Sequence, residues 1–308
     1  MNFVEMKYRL VQMLFAILGS IPLSLRKILA RCLGLTAYAI DGRHRRIVLD
    51  NLERAFENDM TAAQRIRLAR AVFVHFALMI FEIGWVSRLT PEEFRPYCRI
   101  EGYEHYQQAL AQGRGVFAMT GHMGNWELLP MAAGKLIDQP GFVYRPMDSA
   151  ALDRFFVHQR TRMGAVMIAA ARAMRPLLRL LNDKRTVVIL PDQSANRWDG
   201  VFVYFFDRVT CTNKGLALMA LKTGAPVVPV FLVRDGDHFI LKFLPPLPLI
   251  RTGDKTRDVE ENTRQYNRVL EEIIRQYPEQ WFWMHQRWKT PTYRLIADRP
   301  RNWQPKNR

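Results

Sequence analysis

The segment Gly115–Glu127 reads GVFAMTGHMGNWE and carries the most reactive spacing in the chain. Val116–Thr120 is an apolar run of strand character, followed by a Gly-His-x-Gly-Asn turn that should open a helix near Asn125 or Trp126. In open α/β sheets, sites lie at such carboxyl strand ends. His122 leaves between Gly121 and Gly124, which lack a Cβ and allow a ligand or another backbone to come close. Glu127, five residues on, stands in the first turn of the expected helix and can fold back toward the imidazole. A carboxylate on one ring nitrogen fixes the tautomer and leaves the other free as a base. Free amides at the same helix start would suit an oxyanion or a phosphate. His122 and Glu127 are therefore the expected catalytic pair.

Other schemes lack their residues. None of Ser20, Ser24, Ser87, Ser149 and Ser194 sits in G-x-S-x-G, and H-E-x-x-H, P-loop and G-x-G-x-x-G patterns are missing. Cys32, Cys98 and Cys211 are too far apart for a CxxC zinc site or a disulfide framework, which suggests a reducing compartment. A histidine base without an enzyme nucleophile suggests direct attack by a substrate hydroxyl on an activated acyl group. No cofactor and no metal are expected.

The elements that must position these residues follow from periodicity. Strands are predicted at Val116–Thr120, Gly141–Arg145, Val166–Ile168, Thr186–Leu190, Val227–Val233 and Phe239–Leu244. Helices are predicted near 125–137, 150–163, 172–182, 213–223 and 257–276. Thr61-x-x-Gln64 is a capping-box signature that opens a long helix through about Trp85. Alternating elements with apolar, non-alternating strands imply an α/β fold, a mostly parallel sheet flanked by helices. The division expected is a helical, membrane-associated region over 1–90 and an α/β domain over 91–308.

With 45 Lys and Arg against 29 Asp and Glu, the 308 residues carry a formal charge of +16. Residues 141–190 contribute nine bases and three acids, and residues 289–308 six and one, so these seventy residues hold +11 of it. A polyanionic partner is implied: nucleic acid, anionic lipid, acidic protein or phosphorylated substrate. Leu10–Leu25 is uncharged but short for a bilayer, at about 1.5 Å per residue against about 30 Å of hydrocarbon. Leu25, Ile28, Leu29, Cys32, Leu33 and Thr36 then form an apolar stripe, backed by Arg26, Lys27 and Arg31. That pattern fits a helix at an anionic membrane surface, and the N-terminus is expected as a short span or an embedded hairpin.

GHMGNWE, together with YRPMDSAALDRFFVHQR (144–160), LPDQS (190–194) and PEQWFWMHQRWK (278–289), resembles the late acyltransferases of bacterial lipid A biosynthesis. The resemblance extends over essentially the whole chain, including Asn51-Leu52 and Phe56. These enzymes belong to the glycerolipid acyltransferase group with its His-x4-acid motif. The resemblance implies acyl transfer from acyl carrier protein, or acyl-CoA, to a hydroxyl of a membrane lipid at the cytoplasmic face of the inner membrane. His122 would be the base and Glu127 its orienting carboxylate. Arg145 and Arg160 would bind phosphate or sugar of the acceptor, with Arg162 a weaker candidate. Asp192 and Gln193 would line the acceptor pocket or brace its loops.

The aromatic loop Asn196–Phe206 is either an acyl tunnel wall or plain core. Trp281, Trp283, Trp288 and Trp303, mixed with Arg287, Lys289 and Arg294, suit a membrane–water interface, although such a mixture also stacks on single-stranded nucleic acid. The apolar N-terminus has no role in a nucleic-acid account, so lipid is preferred. A phosphatidylinositol mannoside or an aminolipid is the alternative acceptor. Of the remaining histidines, His285 stands out by its place in the Trp-rich segment.

Overall fold

Amphipathic and small-residue patterns shape the N-terminal helices of the computed structural model, which describes residues 3–290 except residue 135. These are α1 (Phe3–Ser20), α2 (Leu23–Ile40), α3 (Gly42–Phe56) and α4 (Ala62–Val86). Both halves of the Thr61–Gln64 capping box form: the Thr61 amide donates to Gln64 Oε1 at 2.7 Å, and the Gln64 amide to Thr61 Oγ1 at 3.3 Å. Such a cap contributes about 1 kcal/mol.

The small-residue face of α2 packs inward. Arg26, Ala30 and Gly34 are buried, with Gly34 against the Val74 backbone of α4. Leu25, Ile28, Leu29 and Leu33 consequently face outward, as do Leu10, Met13, Leu14 and Ile17 of α1. No single described helix is long and apolar enough to cross a membrane; α1 and α2 pass that test only as a pair bent by 117°.

After α5 (Pro91–Phe94) come β1 (Cys98–Glu101), α6 (Tyr103–Leu110), β2 (Val116–Met119), α7 (Leu129–Ala133), β3 (Gly141–Tyr144), α8 (Ala150–Thr161), β4 (Val166–Ala169), α9 (Met174–Asn182) and β5 (Thr186–Ile189). A hairpin of β6 (Gly200–Phe205) and β7 (Arg208–Asn213) precedes α10 (Gly215–Thr223), β8 (Val227–Asp235), β9 (His238–Phe243) and α11 (Lys255–Gln276). The main sheet runs β1-β9-β8-β2-β5-β3-β4, parallel except for the β8–β9 pair. Phe117 and Met119 of β2 join one hydrophobic core while Val116 and Ala118 join another, so both faces of the sheet are covered. An α/β fold with a mostly parallel sheet flanked by helices is what the strand patterns imply.

Several elements differ from expectation, including α6, a helix outside those predicted. β1 (CRIE) has no apolar run, because it is an edge strand with two exposed residues. The aromatic loop is largely the β6–β7 hairpin. Its turn, Phe206-Asp207, has φ of 48° and 55°, and without glycine or asparagine it carries no hairpin signature. The helix expected over 125–137 shrinks to a 3-10 turn, Trp126–Leu128, followed by the five residues of α7.

α1 also lies against α8. Phe15 stacks on Phe155 with centroids 4.4 Å apart, and Arg154 donates to Glu5 at 2.6 Å.

Candidate active site

β2 and β5 are parallel neighbours, with Met119 opposite Ile189. His122 and Asp192 stand three residues beyond those partners, at the same register offset of 70 residues. The His122 Nδ1–H donates to Asp192 Oδ1 at 2.9 Å, and the His122 amide donates to Oδ2 at 2.8 Å. Trp281 Nε1 adds a third donor to Oδ2 at 2.9 Å. Asp192 is fully buried, and burial alone would raise its pKa; the imidazole and these donors reverse that and hold it at about 2. Burial likewise works against a charged His122, but the Asp192 carboxylate and, less strongly, Glu127 raise its pKa. With Nδ1 committed to Asp192, Nε2 is the ring nitrogen left for a substrate.

The turn bearing His122 fits closely into its surroundings. A Cβ on Gly121 would stand 2.9 Å from Leu270 Cδ2 and 3.4 Å from the Asp192 carboxyl carbon. Gly124 has φ of 58°, and a Cβ there would clash with the Leu232 carbonyl oxygen. Segment 280–282 fastens the turn from the other side: the Phe282 amide donates to the His122 carbonyl, and the Gly124 amide to the Gln280 carbonyl, both at 2.9 Å. Trp126 and Phe282 flank the imidazole at 5.1 and 6.0 Å between centroids.

Glu127 corrects the expected pairing. Its carboxylate accepts from Arg160 Nε and Nη2 at 2.7–3.0 Å and from Trp126 Nε1 at 3.1 Å. The residue on His122 is Asp192, because the β2–β5 register brings it there while Glu127 leaves on the 3-10 turn toward α8. Arg160, expected on acceptor phosphate, already has a carboxylate partner. Arg162 donates instead to the Val86 and Leu89 carbonyls.

A cleft of about 460 Å³ opens over this arrangement. His122, Glu127, Arg160 and Gln193 line it, with Arg145 at an exposed position and Phe142, Val143, Phe156, Leu190 and Phe282 as apolar wall. Arg145 has no partner among the described residues. Asp192 is not on the cleft wall; it braces the histidine. Val143 also lines a second cavity of about 930 Å³, walled by Met174, Leu177, Ile189, Leu216 and Met219, with Trp198 and Lys214. Of the aromatic segment, Trp198 reaches that cavity while Phe205 and Phe206 are core. Among the described residues, no group of three or more His, Cys, Asp or Glu gathers as metal ligands.

Three members of the Trp-rich segment are interior rather than interfacial. Trp281, Trp283 and Arg287 are fully buried. Arg287 donates to Thr210 Oγ1, Thr212 Oγ1 and the Cys211 carbonyl at 2.6–3.1 Å, and its burial brings its pKa down to about 10. Trp303 and Arg294 lie outside the described residues. His285 Nε2 accepts from the Ser194 amide at 2.9 Å and so holds the loop after Asp192; burial lowers its pKa to about 4. Asn51 in turn donates to the Trp283 and His285 carbonyls at 2.8 and 2.7 Å.

Fold and site together define an α/β protein with a carboxylate-braced histidine at the carboxyl edge of its sheet, opening on an apolar-walled cleft. The family model of bacterial lipid A biosynthesis acyltransferases matches residues 3–290, and the chain belongs to that family. It is an acyltransferase. A lipid A biosynthesis lauroyltransferase of Escherichia coli K12 is 28% identical over 84% of this chain and 83% of its own length. A lipid A biosynthesis acyltransferase of Haemophilus influenzae is 26% identical over 89% and 85%. A phosphatidylinositol mannoside acyltransferase of Mycolicibacterium smegmatis is 28% identical over 60% of each chain.

Proposed function

We propose that the protein transfers a fatty acyl chain from acyl carrier protein to a hydroxyl of a lipid A precursor. The observation carrying this reading is His122, fixed by Asp192, in a cleft that shares Val143 with a larger apolar cavity. His122 Nε2 takes the acceptor hydroxyl proton as the oxygen attacks the thioester carbonyl. A C–O bond forms, the C–S bond breaks, and the imidazolium returns its proton to the departing thiolate. Asp192, ionised in its buried position, stabilises that imidazolium. The Glu127–Arg160 pair shapes the wall beside it, and the Glu127 charge favours the protonated ring. The acyl chain runs past Val143 into the second cavity. Arg145, without a partner of its own, receives an anionic group of the acceptor.

The outward apolar faces of α1 and α2 support contact with a membrane surface, in this reading the cytoplasmic face of an inner membrane. In this reading residues 1–90 form the lipid-facing region and 91–308 the transfer domain. The Mycolicibacterium relative favours a second reading, the same chemistry on a phosphatidylinositol mannoside, with acyl carrier protein or acyl-CoA as donor. Purified protein given acyl-loaded carrier protein and each acceptor in mixed micelles separates the two by mass spectrometry. Product on the lipid A precursor, lost by roughly 10²–10⁴-fold in His122→Ala, is expected. Full transfer by His122→Ala overturns the mechanism, and a product only on the mannoside overturns the acceptor.

A further inference from the structure

Behind the histidine turn lies a buried polar network that the transfer chemistry does not use. Arg234 of β8 donates through Nε and Nη2 to the two oxygens of Glu82 of α4, both at 2.6 Å. Its Nη1 donates to His75 Nδ1 at 2.7 Å. Since a guanidinium only donates, His75 Nδ1 must be the acceptor and Nε2 must carry the proton. That Nε2–H donates to the Gly124 carbonyl at 3.2 Å. Glu82 Oε2 also accepts from Asn125 Nδ2 at 2.9 Å. Gln280 closes the set: its side chain bonds the Arg234 amide and carbonyl at 2.8 and 2.9 Å, while its own carbonyl holds the Gly124 amide.

Glu82, His75, Asn125 and Gln280 are all buried. Taking such groups out of water is costly, and an apolar cluster of equal volume is often as stable, so stability alone is a weak reason for them. Their hydrogen bonds converge instead on Gly124 and Asn125, two and three residues after His122.

We propose that Glu82, Arg234 and His75 are positioning residues for His122, holding the Gly121–Asn125 main chain so that the imidazole meets Asp192 and the cleft at one fixed angle. This rests on the reading of His122 as the transfer base. The chain of contacts is directional: Glu82 orients Arg234, Arg234 sets the His75 tautomer, and His75 and Asn125 pin the turn. None of the three lines the cleft, so substrate affinity is not their province.

The test uses the purified full chain and the variants Glu82→Gln, His75→Phe, His75→Gln and Asn125→Ala. A displacement of about 1 Å costs roughly 100-fold, so kcat should fall about 10- to 100-fold in Glu82→Gln and His75→Phe, with KM within about twofold. His75→Gln, whose amide can still donate to the Gly124 carbonyl, should recover most of that loss. Asn125→Ala leaves the buried ion pair intact and decides the matter if Glu82→Gln does not fold; it too should lose kcat rather than KM. A second readout needs no turnover: labelling of His122 by diethylpyrocarbonate, followed by mass spectrometry, should quicken in the same variants. Folded variants with wild-type kcat and wild-type labelling overturn the proposal. A wild-type protein that labels normally yet transfers no acyl group counts against the acyl-transfer reading alone, and the labelling of the variants then still decides the positioning role.

Discussion

Glu127 gives both its carboxylate oxygens to Arg160 and none to His122, although only five residues separate it from that histidine. The motif acid and the α8 arginine thus form one nearly buried pair, with side chains 11% and 15% exposed. Removing one member strands the other charge. Arg160→Ala should therefore destabilise the fold by about 3–5 kcal/mol, and Glu127→Gln combined with Arg160→Gln by clearly less. Chemical denaturation of the two variants measures the difference.

Asp192→Asn keeps the shape but removes the charge that fixes the His122 tautomer. Transfer should fall by on the order of 10³-fold or more, as when the orienting acid of a triad is neutralised. The pH dependence should change as well. In the wild type the raised His122 pKa places the acid limb of activity above the pH of about 6.5 at which an ordinary histidine titrates. In the variant burial dominates, and the limb moves to lower pH. A pH–rate profile of both proteins checks the direction.

Two histidines act on stability with opposite dependence on pH. His285 has a folded pKa of about 4, depressed from its unfolded value, so its contribution is complete above about 6.5 and is lost as pH falls toward 4. His122 has the opposite sign: its raised folded pKa gives stability complete below the unfolded value and lost as pH rises through the folded one. Melting curves from pH 4 to 9 should be flattened on the acid side by His285→Gln and on the alkaline side by Asp192→Asn.

Ile28 and Leu33 project from α2 with 60% and 49% of their surface exposed. Replacing both by Glu should leave the fold intact while weakening binding to anionic vesicles by well over tenfold, given about 1.5–3 kcal/mol for each large apolar side chain removed from water. Vesicle co-sedimentation, with circular dichroism to confirm folding, measures this.

Val143 borders both cavities. Val143→Phe should obstruct the way between them and shift the product toward shorter acyl chains, whereas Val143→Ala should leave long chains accepted. Mass spectrometry of the product lipid under a mixed donor pool distinguishes these outcomes.

His122 was legible in the sequence because its strand, turn and glycines are contiguous. Its partner was not. Glu127 is near in sequence, whereas Asp192 is brought near by the pairing of β2 with β5, and strand order is not written in any local pattern. The common offset of 70 residues that joins Val116 to Thr186 joins His122 to Asp192, and it has meaning only once those strands are known to be neighbours. Arg145 and Gln193 stand on the cleft wall. The Trp-rich segment misled for a related reason: Trp281 and Trp283 beside Arg287 have the composition of an interface, but their polar atoms find partners inside the protein. The main strands from β2 to β5 were legible as apolar runs, and the hairpin was hidden by a turn made of Phe206 and Asp207.

The contact of α1 with α8 ties the N-terminal helices to the wall of the cleft. Phe15 and Phe155 stack, and Glu5 holds Arg154, on the helix that carries Phe156 and Arg160 into the cleft. If α1 sits in lipid as proposed, the floor of the cleft would hang from the same beam that floats on the bilayer. On that reading the height of His122 above the acyl region would be a fixed length, and otherwise similar hydroxyls would be told apart by their depth, as with a depth gauge.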